Sequence, residues 1–169
     1  MNTKKIVAIA LLIALDIVMT RFLSIQTPAL RIGFGFLPTA VTGILFGPIF
    51  AALAAVLGDL LGFFLFSQGG AYHPGFTITA ALTGATYGFF LHKKQDILRI
   101  SIAVPIVTIF WGLGLNTFWL TQLLGQGYLA LLPGRAVSAA VMTAVQIALI
   151  KIISHMLKVT KPHLGLDFD

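Results

Sequence analysis

The sequence predicts an all-α integral membrane protein with six transmembrane helices and cytoplasmic N and C termini. Of its 169 residues, 58% are hydrophobic and only 9% are charged, whereas a soluble domain carries about 25% charged residues. The hydrophobic residues form long segments, and most basic residues fall between segments on one side. These observations predict a single membrane domain over residues 1–169, with spans at about 5–24, 34–47, 49–66, 74–92, 100–122 and 133–156.

The positions of lysine and arginine predict the orientation of these spans. Eight cations lie at the two termini and in the loop after the fourth span, whereas only Arg21, Arg31 and Arg135 lie on the other side. Cytoplasmic loops collect lysine and arginine, so both termini are predicted to be cytoplasmic. The loops at 22–33, 67–73 and 123–132 are then outside. The net charge of +6 is explained by this topology and gives no reason to expect a nucleic acid partner.

The first segment also resembles a signal peptide, because Lys4 and Lys5 precede an apolar run. No A-x-A cleavage pattern follows it, so we expect it to remain as a membrane span.

A Gly47-Pro48 break divides the stretch Arg31–Gly62 into two apolar segments. The first segment, Phe34 to Phe46, would rise only about 20 Å as a helix, whereas the hydrocarbon core is about 30 Å thick. Two interpretations stay open. The break belongs either to a short helix that lines a cavity, where irregular backbone is tolerated in membranes, or to a tightly packed hairpin.

Small residues recur at a spacing of four, which is typical of close helix packing in membranes. The pairs are Ala10 and Ala14 in span one, Gly43 and Gly47 in span two, Gly58 and Gly62 in span three, and Gly84 and Gly88 in span four. We interpret most of these pairs as contacts within the chain. The pair in span one lies on an outer helix and is a candidate for docking a partner subunit.

The sequence carries no recognisable enzyme signature. It has no cysteine, no histidine pair at metal-ligand spacing, no nucleophile elbow and no phosphate-binding loop. We therefore predict a protein that is not an enzyme and that has no metal and no cofactor. Any ATP-driven step would need another chain.

Polar and aromatic residues gather at the predicted outer ends of the spans, and these form the candidate ligand site. Arginine binds carboxylates through two parallel hydrogen bonds, aromatic rings stack on planar ligands, and an intramembrane aspartate accepts hydrogen bonds. This combination indicates a flat, anionic ligand with an amino-substituted heterocycle, such as a water-soluble vitamin. The candidate residues are Arg31, Phe34, Phe36, Asp59, Tyr72, His73, Phe76, Thr77, Asn116, Trp119 and Arg135.

Several of these residues have a structural alternative. Trp119 is also typical of an interfacial aromatic belt, and His73 before Pro74 is typical of a helix start. Asn116 has the alternative of an interhelical hydrogen bond. Asp59 and Arg135 form either a structural ion pair or direct contacts to ligand, and both interpretations stay open.

The whole chain resembles the substrate-binding S component of energy-coupling-factor (ECF) vitamin transporters. The likeness covers all six predicted spans, the size, the basic cytoplasmic ends and Ala10-Leu-Leu-Ile-Ala14. The sequence is most similar to the folate-specific branch of that family. The residues that carry this likeness are Arg31-Ile-Gly-Phe-Gly-Phe-Leu-Pro38, Phe46-Gly-Pro48, Gly58-Asp59, His73-Pro-Gly-Phe-Thr77 and Asn116-Thr-Phe-Trp119.

This resemblance implies a subunit in the plasma membrane of a bacterium that binds folate or a related vitamin at the outer face. It implies a complex with one transmembrane coupling subunit, which docks on Ala10 and Ala14, and with two ATPase subunits. Three alternatives remain: an S component for another water-soluble vitamin, a self-sufficient small secondary transporter or channel, and a structural membrane protein without a ligand.

Overall fold

The structure, a computed structural model, describes residues 3–26, 31–66 and 71–164. Its helices are α1 (Thr3–Arg21), α2 (Phe36–Leu65), α3 (Pro74–Leu91), α4 (Ile97–Pro105), a π-helix (Ile106–Leu115), α5 (Asn116–Leu124) and α6 (Tyr128–Leu164), and its strands are β1 (Ser24–Gln26) and β2 (Arg31–Gly33). Among these residues, three helical segments are long and apolar enough to cross a membrane: 36–65, 97–124 and 128–159. The predicted helical membrane fold is confirmed.

Helix α2 reverses direction at Gly47. This residue has φ = 85° and ψ = −177°, which is not helical. A straight helix would place Gly35 and Gly58 about 34 Å apart, yet a methyl group built on either glycine would lie within 3.1 Å of a carboxylate oxygen of Asp16. The arms 36–46 and 48–65 therefore run antiparallel, as the Gly47-Pro48 break predicted.

Both arms of α2 approach α3 at backbone distance. A methyl group at Gly43 would lie 2.8 Å from the backbone nitrogen of Gly88, and one at Gly84 would lie 2.9 Å from the nitrogen of Ala52. One at Gly88 would lie 2.7 Å from the carbonyl carbon of Gly47. The predicted packing role of the glycine pairs is confirmed here, because any larger residue would push the helices apart.

A short β-hairpin follows α1, where the sequence predicted an outer loop within an all-α fold. Strands β1 and β2 pair antiparallel with Ser24 opposite Gly33 and Ile25 opposite Ile32. The pairing satisfies backbone groups that a helix end would leave without partners. The hairpin lies at the end of the bundle where α1 ends and α3 begins. We name this the hairpin end, and the opposite end, which holds the reversal of α2, the Gly47 end.

The last two predicted spans are longer in the structure than the sequence indicated. The span predicted at 100–122 extends over 97–124, and its middle is a π-helix that begins directly after Pro105. Proline has no N–H and crowds the carbonyl one turn earlier, so the regular hydrogen-bond pattern changes there. The span predicted at 133–156 begins at Tyr128, so Pro133 lies inside α6 and does not start it.

The hydrophobic core lies toward the Gly47 end, between α2, α3, α4 and α6. Tyr87, Leu91, Ile100 and Val104 are completely shielded from solvent. At the same end the Lys5 ammonium group lies 4.1 Å from the centre of the Phe50 ring, an attractive cation–π contact. The completely buried apolar side chains thus lie toward this end.

We predict that Gly88→Ala destabilises the protein. The added methyl group meets the backbone of the α2 reversal, and overpacking of this kind costs about 1–3 kcal/mol. That cost exceeds the gain in helix propensity of about 1 kcal/mol. Thermal unfolding of the purified protein in detergent measures the change.

The matched control is Gly127→Ala, because no described heavy atom lies within 4 Å of a methyl group there. If Gly88→Ala melted at or above the wild-type temperature, the close approach of α2 and α3 would not limit stability.

Candidate functional site

A cavity of about 250 Å³ lies between α1, both arms of α2, α3, the π-helix and α6. On α6 its lining runs from Arg135 to Gln146, a rise of about 16 Å. The lining residues are Asp16, Thr20, Arg21, Ser24, Gly33, Gly35, Phe36, Thr39, Ala55, Gly58, Asp59, Phe76, Thr79, Ala80, Thr83, Val107, Thr108, Gly112, Leu113, Asn116, Arg135, Ser138, Ala139, Met142 and Gln146.

Helix α1 contributes a carboxylate and a guanidinium group to this cavity. A methyl group at Gly58 would meet Asp16 Oδ2 at 2.5 Å, and one at Gly62 would meet Arg21 Nε at 3.1 Å. These two glycines therefore make room for charged side chains of α1, unlike the glycines that contact α3. An ionisable group inside a predicted span, such as Asp16, is a functional candidate by default, but our list of candidate site residues contained neither Asp16 nor Arg21.

Asp59 ends a chain of hydrogen bonds that starts at the hairpin end. The hydroxyl of Thr77 donates to Asp59 Oδ2 at 2.7 Å, and Tyr72 Oη lies 2.9 Å from the same hydroxyl. Because Thr77 gives its only proton to Asp59, the Tyr72 hydroxyl is the donor to Thr77. The two hydroxyls thus form a chain of hydrogen bonds that ends at the half-buried Asp59 carboxylate.

His73 starts α3, as the His-Pro pattern predicted, and it also holds Trp119. Its Nδ1 accepts a hydrogen bond from the Gly75 N–H at 3.1 Å, so the proton of a neutral ring is on Nε2, which lies 3.0 Å from Gln122 Oε1. The ring centres of His73 and Trp119 are 5.4 Å apart. Trp119 Nε1 donates to Thr79 Oγ1 at 3.1 Å, and this hydroxyl lines the cavity. Trp119 is therefore fixed against the cavity wall.

Arg135 is the first cavity-lining residue of α6, toward the hairpin end, and it is hydrogen-bonded to the neighbouring helical segment. Its Nε donates to Thr117 Oγ1 at 2.8 Å and its Nη2 donates to the Gly112 carbonyl at 3.2 Å. Beside it, Asn116 Oδ1 is buried and has no hydrogen-bond partner among the described residues. A buried amide oxygen without a donor is costly, so this atom is a natural acceptor for a bound ligand.

The structure brings most of the predicted site residues to this cavity. Phe36, Asp59, Phe76, Asn116 and Arg135 line it, and Thr77, Tyr72, His73 and Trp119 are joined to it through the contacts given above. Phe34 is 38% exposed and is not among the lining residues. The side chain of Arg31 lies outside the described part of the chain.

Sequence reasoning missed the lining residues closer to the Gly47 end, such as Thr108, Met142 and Gln146. One signal was available on α6. Arg135, Ser138, Met142 and Gln146 follow a spacing of three and four, which places them on one helix face. Three polar residues on one face of a membrane helix indicate a protein-facing or ligand-facing surface.

The sequence matches, over residues 1–161, the family described as "ECF-type riboflavin transporter, S component". The chain belongs to this family of ECF S components. The family predicted from the sequence is therefore confirmed, and it is a family of transporter components, not one of enzymes.

Two curated relatives and one crystal structure are similar to this S component. It is 43% identical to the folate transporter FolT of Clostridium novyi (strain NT) over 134 residues, which cover 79% of this chain and 77% of the relative. It is 29% identical to FolT of Leuconostoc mesenteroides over 156 residues, covering 88% and 83%. The crystal structure of FolT bound with folic acid matches with a TM-score of 0.83 and 32% identity, covering 89% of this chain and 91% of that one.

We predict that Gly75→Ala displaces Trp119 in this S component. A methyl group at Gly75 would lie 2.6 Å from Trp119 Cε2, so the indole has to move and loses its bond to Thr79. In a Trp111→Phe background the remaining tryptophan reports on this site alone. Its fluorescence emission is expected to shift to longer wavelength as the ring meets water. Gly127→Ala is the control variant. If the emission spectrum of Gly75→Ala were unchanged, Trp119 would not be packed against Gly75.

Proposed function

We propose that this chain is the high-affinity folate-binding subunit of an ATP-driven ECF importer in the plasma membrane of a bacterium. It captures folate at the outer face and delivers it through a coupling subunit and two ATPases. The likeness to the FolT structure bound with folic acid, which extends over 89% of the chain, carries this proposal. The cavity agrees with it, because about 250 Å³ is close to the lower end of about 300–1,000 Å³ for small-molecule sites.

The proposed topology has six crossings, with the hairpin end outside and both termini in the cytoplasm. The reversal of α2 at Gly47 supports six crossings, because each arm then counts as one. Charge supports the orientation. Lys5 lies at the Gly47 end beside Phe50, and Lys93, Lys94 and Arg99 follow the end of α3. Basic residues favour the cytoplasmic side.

In this site Arg135 would bind a ligand carboxylate, with Arg31 as a second candidate. Guanidinium groups bind carboxylates with two hydrogen bonds. Asp59 and Asn116 Oδ1 would accept hydrogen bonds from N–H groups of the ligand. Phe36 and Phe76 would contact its flat rings, while Tyr72, His73, Thr77 and Trp119 would hold this wall in place. Phe34 is partly exposed and does not line the cavity, so it would contact a bound ligand only after its side chain moved.

Binding measurements with two vitamins test the function directly. We expect purified protein in detergent to bind folic acid far more tightly than riboflavin, because the matched FolT proteins are folate transporters although the family description names riboflavin. Isothermal titration with each vitamin measures both affinities. Tight binding of riboflavin without binding of folic acid would assign the chain to another vitamin.

We predict that Asp59→Asn weakens folic acid binding about ten- to a hundredfold and leaves the stability of the ligand-free protein nearly unchanged. Asparagine keeps an acceptor for Thr77 but loses the charge that strengthens hydrogen bonds to ligand N–H groups, worth about 1.5–3 kcal/mol. Titration and thermal unfolding of the same sample measure both effects.

Asp96→Asn is the matched control, because Asp96 is exposed at the start of α4. An Asp59→Asn protein with normal affinity and a lower melting temperature would assign Asp59 a structural role, such as balancing Arg135. Breaking a buried ion pair costs about 3–5 kcal/mol.

We predict that Ala14→Trp prevents assembly with the coupling subunit and abolishes uptake but leaves folic acid binding intact. Ala10 and Ala14 are exposed one turn apart on α1, and their neighbour Leu11 is 66% exposed. This smooth apolar face allows another helix to approach closely. Co-purification with the coupling subunit and cellular uptake of labelled folate measure the effect.

Ala140→Trp is the matched control, since Ala140 is an exposed alanine on a different helix, α6. If this control blocked assembly while Ala14→Trp did not, the docking surface would lie on α6.

A further inference from the structure

The inner end of the cavity is the one nearest the Gly47 end of the bundle. There Tyr87 of α3 is hydrogen-bonded to Gln146 of α6. Tyr87 is completely buried in the core, and Gln146 is 7% exposed. The Tyr87 hydroxyl donates to Gln146 Oε1 at 2.8 Å. Gln146 lines the cavity, whereas Tyr87 does not. A residue outside the cavity therefore holds a polar side chain that forms its inner end.

This bond determines which way the Gln146 amide is turned. A buried tyrosine hydroxyl needs an acceptor, and an amide nitrogen cannot serve as one. Tyr87 therefore keeps Oε1 on its own side. The Nε2 group, with its two N–H donors, remains for the cavity.

The threonine hydroxyls that line the cavity make these donors more important. Thr79 and Thr39 donate to the carbonyl groups of Gly75 and Gly35 one turn earlier, at 3.0 and 3.2 Å. Thr108 Oγ1 lies 2.9 Å from the Val104 carbonyl. A threonine has only one proton to give, so these side chains offer mainly acceptor oxygens to a ligand. The Gln146 amide supplies N–H groups at the inner end of the cavity.

The charged residues that line the cavity lie closer to the hairpin end than Gln146 does. Arg135 is about 16 Å from Gln146 along α6, and Asp59 bonds to Thr77 in the first turn of α3. Carboxylates of a ligand are therefore favoured near Arg135. The uncharged inner end, with Val107 and Met142 beside Gln146, suits a flat heterocycle whose edge carries a hydrogen-bond acceptor.

We propose that Gln146 selects ligands with a carbonyl oxygen on the inner edge of their heterocycle, and that Tyr87 is a positioning residue that holds the Gln146 amide as a donor. This inference rests on the proposed folate-binding function and deepens it. Folic acid has such a ring carbonyl. In aminopterin an amino group replaces that oxygen, so an acceptor becomes a donor; the adjacent ring nitrogen also loses its hydrogen, and the other heavy atoms stay the same.

The experiment compares the affinities of folic acid and aminopterin for wild type and Tyr87→Phe in detergent. Wild type is expected to bind folic acid at least about tenfold more tightly, because two donors facing each other cannot bond. Tyr87→Phe keeps the buried ring but frees the amide to turn Oε1 toward an amino group. The preference is then expected to fall severalfold, mainly because aminopterin binds better.

Two further variants complete the test. Gln146→Met removes both donors at similar volume and is expected to weaken folic acid binding about tenfold and to abolish the preference. Tyr128→Phe is the matched control, since it removes a hydroxyl that donates to the Leu113 carbonyl, and it should keep the wild-type preference. Melting temperatures of all ligand-free variants show that each is folded.

Equal affinity of wild type for both ligands would overturn the inference, as would a Tyr87→Phe protein in which both affinities fall by the same factor. The second result would make Tyr87 a purely structural residue. If wild type bound neither ligand, the proposed function itself would fail. Folic acid binding with an unchanged preference in both site variants would reject only the role of Gln146 and Tyr87.

Discussion

The close backbone contact between α2 and α3 is the constraint on which the rest of the structure depends. Gly43, Gly84 and Gly88 remove the side chains that would separate the helices, and the positive φ of Gly47 lets α2 turn back beside α3. Hydrophobic burial gives little drive between helices in lipid, so close packing has to supply the stability. The two arms of α2 thus form a rigid unit with α3 that fixes one wall of the cavity.

Glycine residues have a different role at the hairpin end. Gly35, Gly58 and Gly62 face side chains of α1, and the space they leave is taken by Asp16, Thr20 and Arg21. A charged group inside a membrane protein is stable only where it meets partners or water. The bundle is therefore tightly packed at the Gly47 end and encloses its charged groups toward the hairpin end, so a hydrophilic ligand can be bound without contact to lipid.

Hydrogen bonds within the protein orient the polar side chains at the cavity before any ligand binds. Threonines donate to carbonyls of their own helix, Trp119 donates to Thr79, and Tyr87 donates to Gln146. Each of these bonds leaves a defined acceptor or donor facing inward. Such prior orientation lowers the cost of ordering the site when a ligand binds. The bond between Tyr87 and Gln146 is the one on which the proposed selection of a ring carbonyl depends.

The sequence by itself determined the membrane class, the break at Gly47-Pro48 and the helix start at His73-Pro74, because composition and proline or glycine chemistry act locally. It also indicated Asp59, Asn116 and Arg135, since polar groups in apolar segments are conspicuous. Only the tertiary structure decided that Asp16 and Gln146 share one cavity and that Trp119 lies against Gly75. These relations join distant segments. They depend on how the helices are placed in space, which hydrophobic periodicity along one helix does not specify.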